Sequence, residues 1–104
     1  MSSASGPITL VQYLIARLKE LHTPFVQGVP GDYNLTFLSE LNKAGLPWIG
    51  NANELNGAYS ADGLARILGN KRPSVLVTTM GVGELSAANG VGACCANPSA
   101  MTAC

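Results

Sequence analysis

Residues 74–83 read Ser-Val-Leu-Val-Thr-Thr-Met-Gly-Val-Gly, and this stretch decides the fold class. Its first six residues form an apolar, β-branched run, which predicts a central strand of a parallel sheet that is covered on both faces. The glycines that follow fit a tight turn into a helix, which we predict over residues 84–93. A buried strand that leads through a glycine turn into a helix indicates an α/β fold.

Upstream of this stretch the same alternation occurs twice. Short apolar runs predict strands at residues 25–29 and 46–50. Periodic apolar positions predict three helices, from Thr9 to about His22, from Asn34 to Ala44 and from Asn53 to Leu68. Alternating strands and helices imply right-handed crossovers, so we expect an open parallel sheet with flanking helices.

Two of the helices carry patterns that predict how they pack. In the first helix the apolar positions recur at spacings of three and four, which predicts one apolar face made of Leu10, Tyr13, Leu14, Leu18 and Leu21. The helix that starts at Asn53 is instead rich in small residues, namely Gly57, Ala58, Ala61, Gly63 and Ala65. Small side chains let a second backbone approach closely, so we expect this helix to lie in a tightly packed interface.

The composition excludes several classes of function. Hydrophobic residues make up 47% of the 104 residues and charged residues only 12%, against about a quarter in typical soluble domains. Six basic residues balance six acidic ones and are scattered along the chain, so we expect no nucleic-acid partner. Apolar stretches fall far short of the ~20 residues of a membrane span, and the start lacks a secretory leader pattern. We therefore expect a cytoplasmic protein without a membrane partner.

The cysteines indicate neither a disulfide framework nor a metal site. All three, Cys94, Cys95 and Cys104, fall within the last eleven residues, and their number is odd. Adjacent cysteines also lack the C-x-x-C spacing of zinc and redox sites. We expect no metal ligands in this chain.

The carboxyl ends of the predicted strands carry nearly every chemically interesting residue. In open parallel sheets ligands bind at this edge, so residues 28–34, 50–54 and 78–84 should lie together. Asp32 in the first segment fits a helix cap or a catalytic carboxylate, and the two roles do not exclude each other. Glu54 in the second fits either a favourable charge at a helix start or a desolvated acid with a functional partner.

The third segment contains Gly81-Val82-Gly83 between a strand and a helix. It lacks the G-x-x-x-x-G-K-[ST] pattern, which excludes a nucleoside-triphosphate loop. A dinucleotide site is disfavoured as well, because its glycines would follow the first strand and not the third. Close packing of helix on strand is the simpler interpretation of these glycines.

Taken in order, four stretches resemble the opening of the pyruvate and indolepyruvate decarboxylase family. They are ITLVQYLIARLKEL, VPGDYNLTFLSEL, WIGNANELNGAYSADGLARI and VTTMGVGELSAANGVGA. The resemblance implies the pyrimidine-binding domain of a thiamine diphosphate enzyme, with a Rossmann-like sheet of six strands of which this chain supplies about half. Residues 1–93 are then a partial domain, and residues 94–104, where the family pattern stops, are a divergent tail.

The resemblance also implies roles for individual residues. Glu54 matches the glutamate that hydrogen-bonds the pyrimidine N1′ and promotes removal of the thiazolium C2 proton by the cofactor's own 4′-nitrogen. Asp32 matches an aspartate of the later proton transfers. Thr79, Gly81 and Val82 match the loop that lines the pyrimidine pocket, mainly through its backbone.

The same resemblance implies the activity and the assembly of the complete enzyme. The complete enzyme would convert a 2-oxo acid to an aldehyde and carbon dioxide, and it would work as a homodimer or homotetramer. The diphosphate and Mg²⁺ are held by a separate domain of the partner subunit, with a motif not found in this chain. We therefore expect a fragment that is inactive alone, binds no thiamine diphosphate, and either aggregates or remains partly unfolded. The alternatives are a regulatory fragment that docks on the full-length enzyme and, less favoured, a stand-alone nucleotide-binding domain.

Overall fold

A computed structural model describes residues 6–96 and the backbone of residues 102–103. Helices and strands alternate along these residues. In chain order they are α1 (Leu10–Glu20), β1 (Val26–Gly28), α2 (Leu35–Ala44), β2 (Trp48–Gly50), α3 (Glu54–Leu68), a short 3-10 turn (Gly69–Lys71), β3 (Ser74–Val77), α4 (Val82–Cys95) and β4 (Thr102–Ala103). The predicted order of helices and strands is confirmed as far as α4, with the strands shorter than their apolar runs, and β4 was not predicted.

The strands form one parallel sheet in the order β2-β1-β3-β4. Val26 of β1 pairs with Trp48 of β2 on one side and with Val75 of β3 on the other. The two-residue strand β4 pairs with the start of β3. The predicted open parallel α/β sheet is therefore confirmed, and β3 lies inside it. The domain boundary at Ala93 stays a prediction, although α4 runs on to Cys95.

One face of the sheet is covered by α1 and α2 and forms a core of large aliphatic side chains. Buried residues on this face are Ile15, Leu18, Val26, Leu41, Leu46 and Val75. Leu41 and Val26 are fully buried. This core holds α2 in place, and α2 is the helix that follows the predicted Asp32 loop.

The opposite face is covered by α3, and α4 packs along α3. Its core consists of Ala58, Ala61, Leu76 and Ala87. Gly90 of α4 lies so close to Ala58 of α3 that a Cβ at position 90 would overlap the Ala58 side chain. The prediction that small residues allow a close backbone approach is confirmed at Ala58, whereas Gly63 is exposed and has no atom within 4 Å of a Cβ built there.

The predicted apolar face of α1 is wrong in register. Of its five residues only Leu18 is buried, and Leu10 is 81% exposed. The helix instead directs Val11, Ile15 and Leu18 at the core, a second stripe that also has spacings of four and three. Both stripes satisfy helical periodicity, and the position of α2 decides which of them is buried.

Two of the helices begin with a side-chain cap. Thr9 Oγ1 accepts a hydrogen bond from the Gln12 N–H, and Asn53 Oδ1 accepts one from the Asn56 N–H. These bonds satisfy donors that the first helical turn leaves without partners. Within residues 6–96, no helix is both long and apolar enough to cross a membrane.

Candidate functional site

The loops that leave the three long strands lie side by side at one edge of the sheet. We call this the carboxyl edge, which comprises residues 29–34, 51–54 and 78–83. Two backbone bonds join these loops to neighbouring strands, from the Asn51 N–H to Gly28 O at 2.8 Å and from the Val29 N–H to Val77 O at 3.2 Å. The predicted gathering of the three segments is confirmed.

Glu54 is the first residue of α3, where the helix dipole favours its negative charge. Its half-buried carboxylate lies against the backbone of Gly83, and a Cβ at position 83 would be only 2.5 Å from Glu54 Oε1. A side chain at position 83 would therefore displace this carboxylate from its place. Within the described part of the chain, no side chain or backbone group donates a hydrogen bond to it, so its oxygens are available as acceptors.

Thr79 lies between the first and second loops of the carboxyl edge. Its Cγ2 would be 3.0 Å from a Cβ at Gly83, which places it beside Glu54. On its other side, a Cβ at Gly31 would overlap the Thr79 hydroxyl. Thr79 thus connects the loop that carries Asp32 with the surroundings of Glu54.

Gly81 and Val82 form the turn into α4. Gly81 has φ +79°, a backbone conformation that glycine adopts far more readily than other residues, and no atom lies within 4 Å of a Cβ built there. Its N–H donates to Glu84 Oε2 at 3.4 Å. Val82 is 78% exposed. The turn therefore presents open backbone at the edge, as expected for a loop that a ligand contacts through its main chain.

Asp32 is exposed on the first loop, and it is not a helix cap. The residue before α2 is Asn34, and no hydrogen bond to the Asp32 carboxylate occurs among the described residues. The capping interpretation is wrong because two residues separate Asp32 from the first turn of α2. Its loop reaches Thr79 through Gly31, so Asp32 is linked to the rest of the edge only through that loop.

Sequence reasoning missed three residues of this edge as participants: Gly31, Asn34 and Gly83. The two glycines make room for Thr79 and Glu54, and Asn34 joins two loops by hydrogen bonds. A Pro-Gly-Asp-x-Asn sequence signals a turn whose polar side chains bond to the backbone, and this signal could have identified Asn34. The glycine contacts have no local signal.

A groove of about 390 Å³ opens beside β3 and reaches the carboxyl edge. Aliphatic residues of α1 and β3 line its floor, and its rim at the edge is formed by Tyr33, Asn34, Thr78 and Glu84. Among residues 6–96, no three His, Cys, Asp or Glu side chains lie together as metal ligands would.

Comparison with known proteins identifies the family. The sequence profile described as "Thiamine pyrophosphate enzyme, N-terminal TPP binding domain" matches residues 8–103. The chain is 56% identical over 85 residues to a pyruvate decarboxylase of Aspergillus terreus, which covers 82% of the chain and 14% of the relative. It is 58% identical over 85 residues to pyruvate decarboxylase isozyme 3 of Saccharomyces cerevisiae, covering 81% and 15%. A putative pyruvate decarboxylase of Schizosaccharomyces pombe is 53% identical over 90 residues.

The chain spans about one seventh of the length of these relatives, 14–15% in each case. The match covers the residues of all three loops at the carboxyl edge, including Glu54 and Thr79. The chain therefore belongs to the thiamine pyrophosphate enzyme family, as an N-terminal thiamine pyrophosphate binding domain whose relatives are pyruvate decarboxylases.

Proposed function

We propose that this chain supplies the pyrimidine-binding side of a thiamine-diphosphate-dependent lyase that decarboxylates a 2-oxo acid to an aldehyde. The observation that carries the proposal is the Glu54 carboxylate, half-buried against Gly83 and without a hydrogen-bond donor among the described residues. A carboxylate in this state matches the protonated N1′ of a pyrimidine ring, since it can accept a charge-assisted hydrogen bond.

The residues around Glu54 fit a flat heterocycle. Gly83 carries no side chain that would displace the carboxylate, and Gly81 leaves open space beside the turn. Bound thiamine diphosphate supplies the carbon acid and the electron sink of the reaction, which no side chain of this chain can supply. Glu54 holds or releases a proton at N1′ through Oε1 or Oε2, and the turn at Thr79, Gly81 and Val82 orients the ring through its backbone.

Asp32 is proposed to act on the substrate side, in proton transfers that follow the loss of carbon dioxide. Its exposed carboxylate is at the rim of the edge, whereas Glu54 is half-buried in it. This difference in exposure supports a division of labour between a carboxylate that serves the cofactor and one that serves the substrate.

The other parts of the active site are assigned to regions of the relatives that this chain does not cover. We propose that another domain, from a partner subunit of a cytoplasmic homodimer or homotetramer, holds the diphosphate and Mg²⁺. Which 2-oxo acid reacts is then set outside these residues. The chain alone should neither turn over a 2-oxo acid nor retain thiamine diphosphate.

The test compares the chain with a chimeric enzyme, defined as the Aspergillus terreus relative with its 85 matched residues replaced by those of this chain. We expect the chimeric enzyme to convert pyruvate to acetaldehyde and the isolated chain to show no saturable heat of binding with thiamine diphosphate and Mg²⁺. A folded chimeric enzyme without activity would contradict the proposed function. Saturable binding of thiamine diphosphate by the isolated chain would contradict the assignment of the diphosphate site to another domain.

A second candidate is a non-catalytic fragment that docks on the full-length enzyme. The observation that favours it is a set of exposed apolar residues near α3 and α4, namely Tyr59, Met80, Val82 and Leu85, of which Leu85 is 82% exposed. Co-purification of the tagged chain with the full-length enzyme would support this candidate. Failure of the two to associate at micromolar concentration would exclude it.

A further inference from the structure

Asn34 is a buried amide at the start of α2, and its side chain is only 8% exposed. Its Nδ2 donates to Val29 O at 3.1 Å and to Thr78 O at 3.2 Å, while its Oδ1 accepts from the Gly31 N–H at 2.9 Å. One side chain therefore makes three hydrogen bonds, two within the first loop and one to the first residue after β3.

These bonds fix both the shape and the position of the Asp32 loop. The bonds to Val29 and Gly31 close the loop around Asn34, and the bond to Thr78 holds the closed loop beside the third segment. Gly31 packs on the Thr79 hydroxyl on the same side. Asp32 lies between Gly31 and Asn34, so its backbone position follows from this arrangement.

The geometry requires an amide and no other group of this size. Two carbonyl oxygens need donors, and one N–H needs an acceptor, which is what an asparagine side chain offers. An aspartate of the same shape would keep the acceptor but face two carbonyl oxygens with a negative charge. An alanine would leave all three groups without partners.

Glu54 is held by a different set of contacts. It belongs to α3, whose start is capped by Asn53, and its carboxylate packs against Gly83 of α4. None of these contacts involves Asn34. Loss of the Asn34 amide should therefore move Asp32 and leave Glu54 in place.

We propose that Asn34 is a positioning residue that sets the place of Asp32 relative to Thr79, and this inference rests on the function proposed above for the carboxyl edge. Asn34 touches neither cofactor nor substrate in this role. It acts through the loop that carries Asp32.

The test uses Asn34→Asp in the chimeric enzyme, with Asn42→Asp as the matched control because Asn42 is exposed on the same helix. In the protein without cofactor, we expect backbone hydrogen exchange of residues 29–33 to accelerate at least about tenfold in Asn34→Asp, with no change at residues 54–57. With cofactor, we expect kcat to fall about 10- to 100-fold, the typical cost of a small misplacement of a reacting group. Deuterium exchange at the cofactor C2 should stay at the parent rate, and Asn42→Asp should match the parent throughout.

Unchanged hydrogen exchange at residues 29–33, or an unchanged kcat, would overturn the inference. Equal losses in kcat and in C2 exchange would also overturn it, since they would indicate general damage to the edge. If Asn34→Asp does not fold, Asn34→Ala places no charge against the carbonyl oxygens and should give the same split between kcat and C2 exchange. A failure of the proposed function itself would be seen in a separate experiment. In that case the Glu54→Gln variant would exchange the cofactor C2 proton at the parent rate.

Discussion

The two faces of the sheet are built by different rules. The face under α1 and α2 is filled by large aliphatic side chains such as Leu41 and Val26, which interdigitate in the usual manner of a protein core. The face under α3 is filled mainly by alanines and glycines around Leu76, and there the backbones of α3 and α4 themselves come close, as at Gly90 and Ala58.

The difference shows where the positions of the helices are most tightly constrained. Long side chains can adjust to one another by small rotations, whereas a contact between two backbones cannot adjust without moving a helix. The small-residue face also holds the start of α3, and with it Glu54 against Gly83. The face on which two helix backbones come close is therefore also the face that carries the candidate catalytic carboxylate.

The largest effect on stability is expected on the large-residue face. Leu41→Ala should destabilise the domain by about 2–5 kcal/mol, because Leu41 is fully buried and its loss leaves a cavity. The measurement is urea unfolding of the chimeric enzyme, with the folded fraction at each urea concentration determined by pulse proteolysis. Leu41→Met, which conserves volume, should cost less than about 1.5 kcal/mol. Similar large losses in both variants would mean that this face is as intolerant as the other one.

On the small-residue face, adding one methyl group should be enough to destabilise. Gly90→Ala should cost about 1–3 kcal/mol, since the new Cβ would overlap Ala58 and force α3 and α4 apart. The same proteolysis assay measures it. If helix α4 tolerated the change without loss, the close backbone contact would not be a constraint.

The matched control lies two residues further along α4. Gly92 is exposed, and no atom lies within 4 Å of a Cβ built there. Gly92→Ala should therefore stabilise the domain by about 0.5–1 kcal/mol, because alanine loses less backbone entropy than glycine in a helix. Destabilisation by Gly90→Ala together with stabilisation by Gly92→Ala would support the difference between the two positions, whereas effects of the same sign would contradict it.

The smallest effect is expected from Glu40, which connects α1 and α2 at the surface. The hydrogen bond from Lys43 at 2.6 Å, and then the one from Gln12, lower the pKa of Glu40 below its ordinary 4.5. A lowered folded-state pKa means that the contribution to stability is complete above the ordinary pKa and is lost as the pH falls through the folded one. Glu40→Gln should therefore lower stability slightly at pH 7 and not in strong acid. A difference that persists in acid would rule out the ion pair as its cause.

Local sequence patterns were enough to predict the order of helices and strands and the gathering of three loops at one edge. The run at residues 74–79 marks a buried strand without ambiguity, and Thr9 and Asn53 mark helix starts because a cap bonds only to its own first turn. Glu54 could be placed at this edge for the same reason, since both the helix start and the strand before it have local signals.

What could not be predicted depends on residues far apart in the chain. The amide of Asn34 bonds to Thr78 O, 44 residues away, and its role follows only once the two loops are neighbours. The close contact at Gly83 is made by Glu54 and the one at Gly90 by Ala58, and both partners are far away in the chain. The stripe of α1 that is buried depends on where α2 lies, so periodicity within α1 alone could not select it.

Deuterium exchange at C2 of thiamine diphosphate bound to the chimeric enzyme tests most directly whether Glu54 serves the cofactor. We expect Glu54→Gln to slow this exchange by about 100-fold or more, the scale of a lost proton-transfer partner, while Glu40→Gln, the same change on a remote helix, leaves it unchanged. An exchange rate in Glu54→Gln equal to that of the parent, with the cofactor still bound, would contradict the role assigned to this carboxylate.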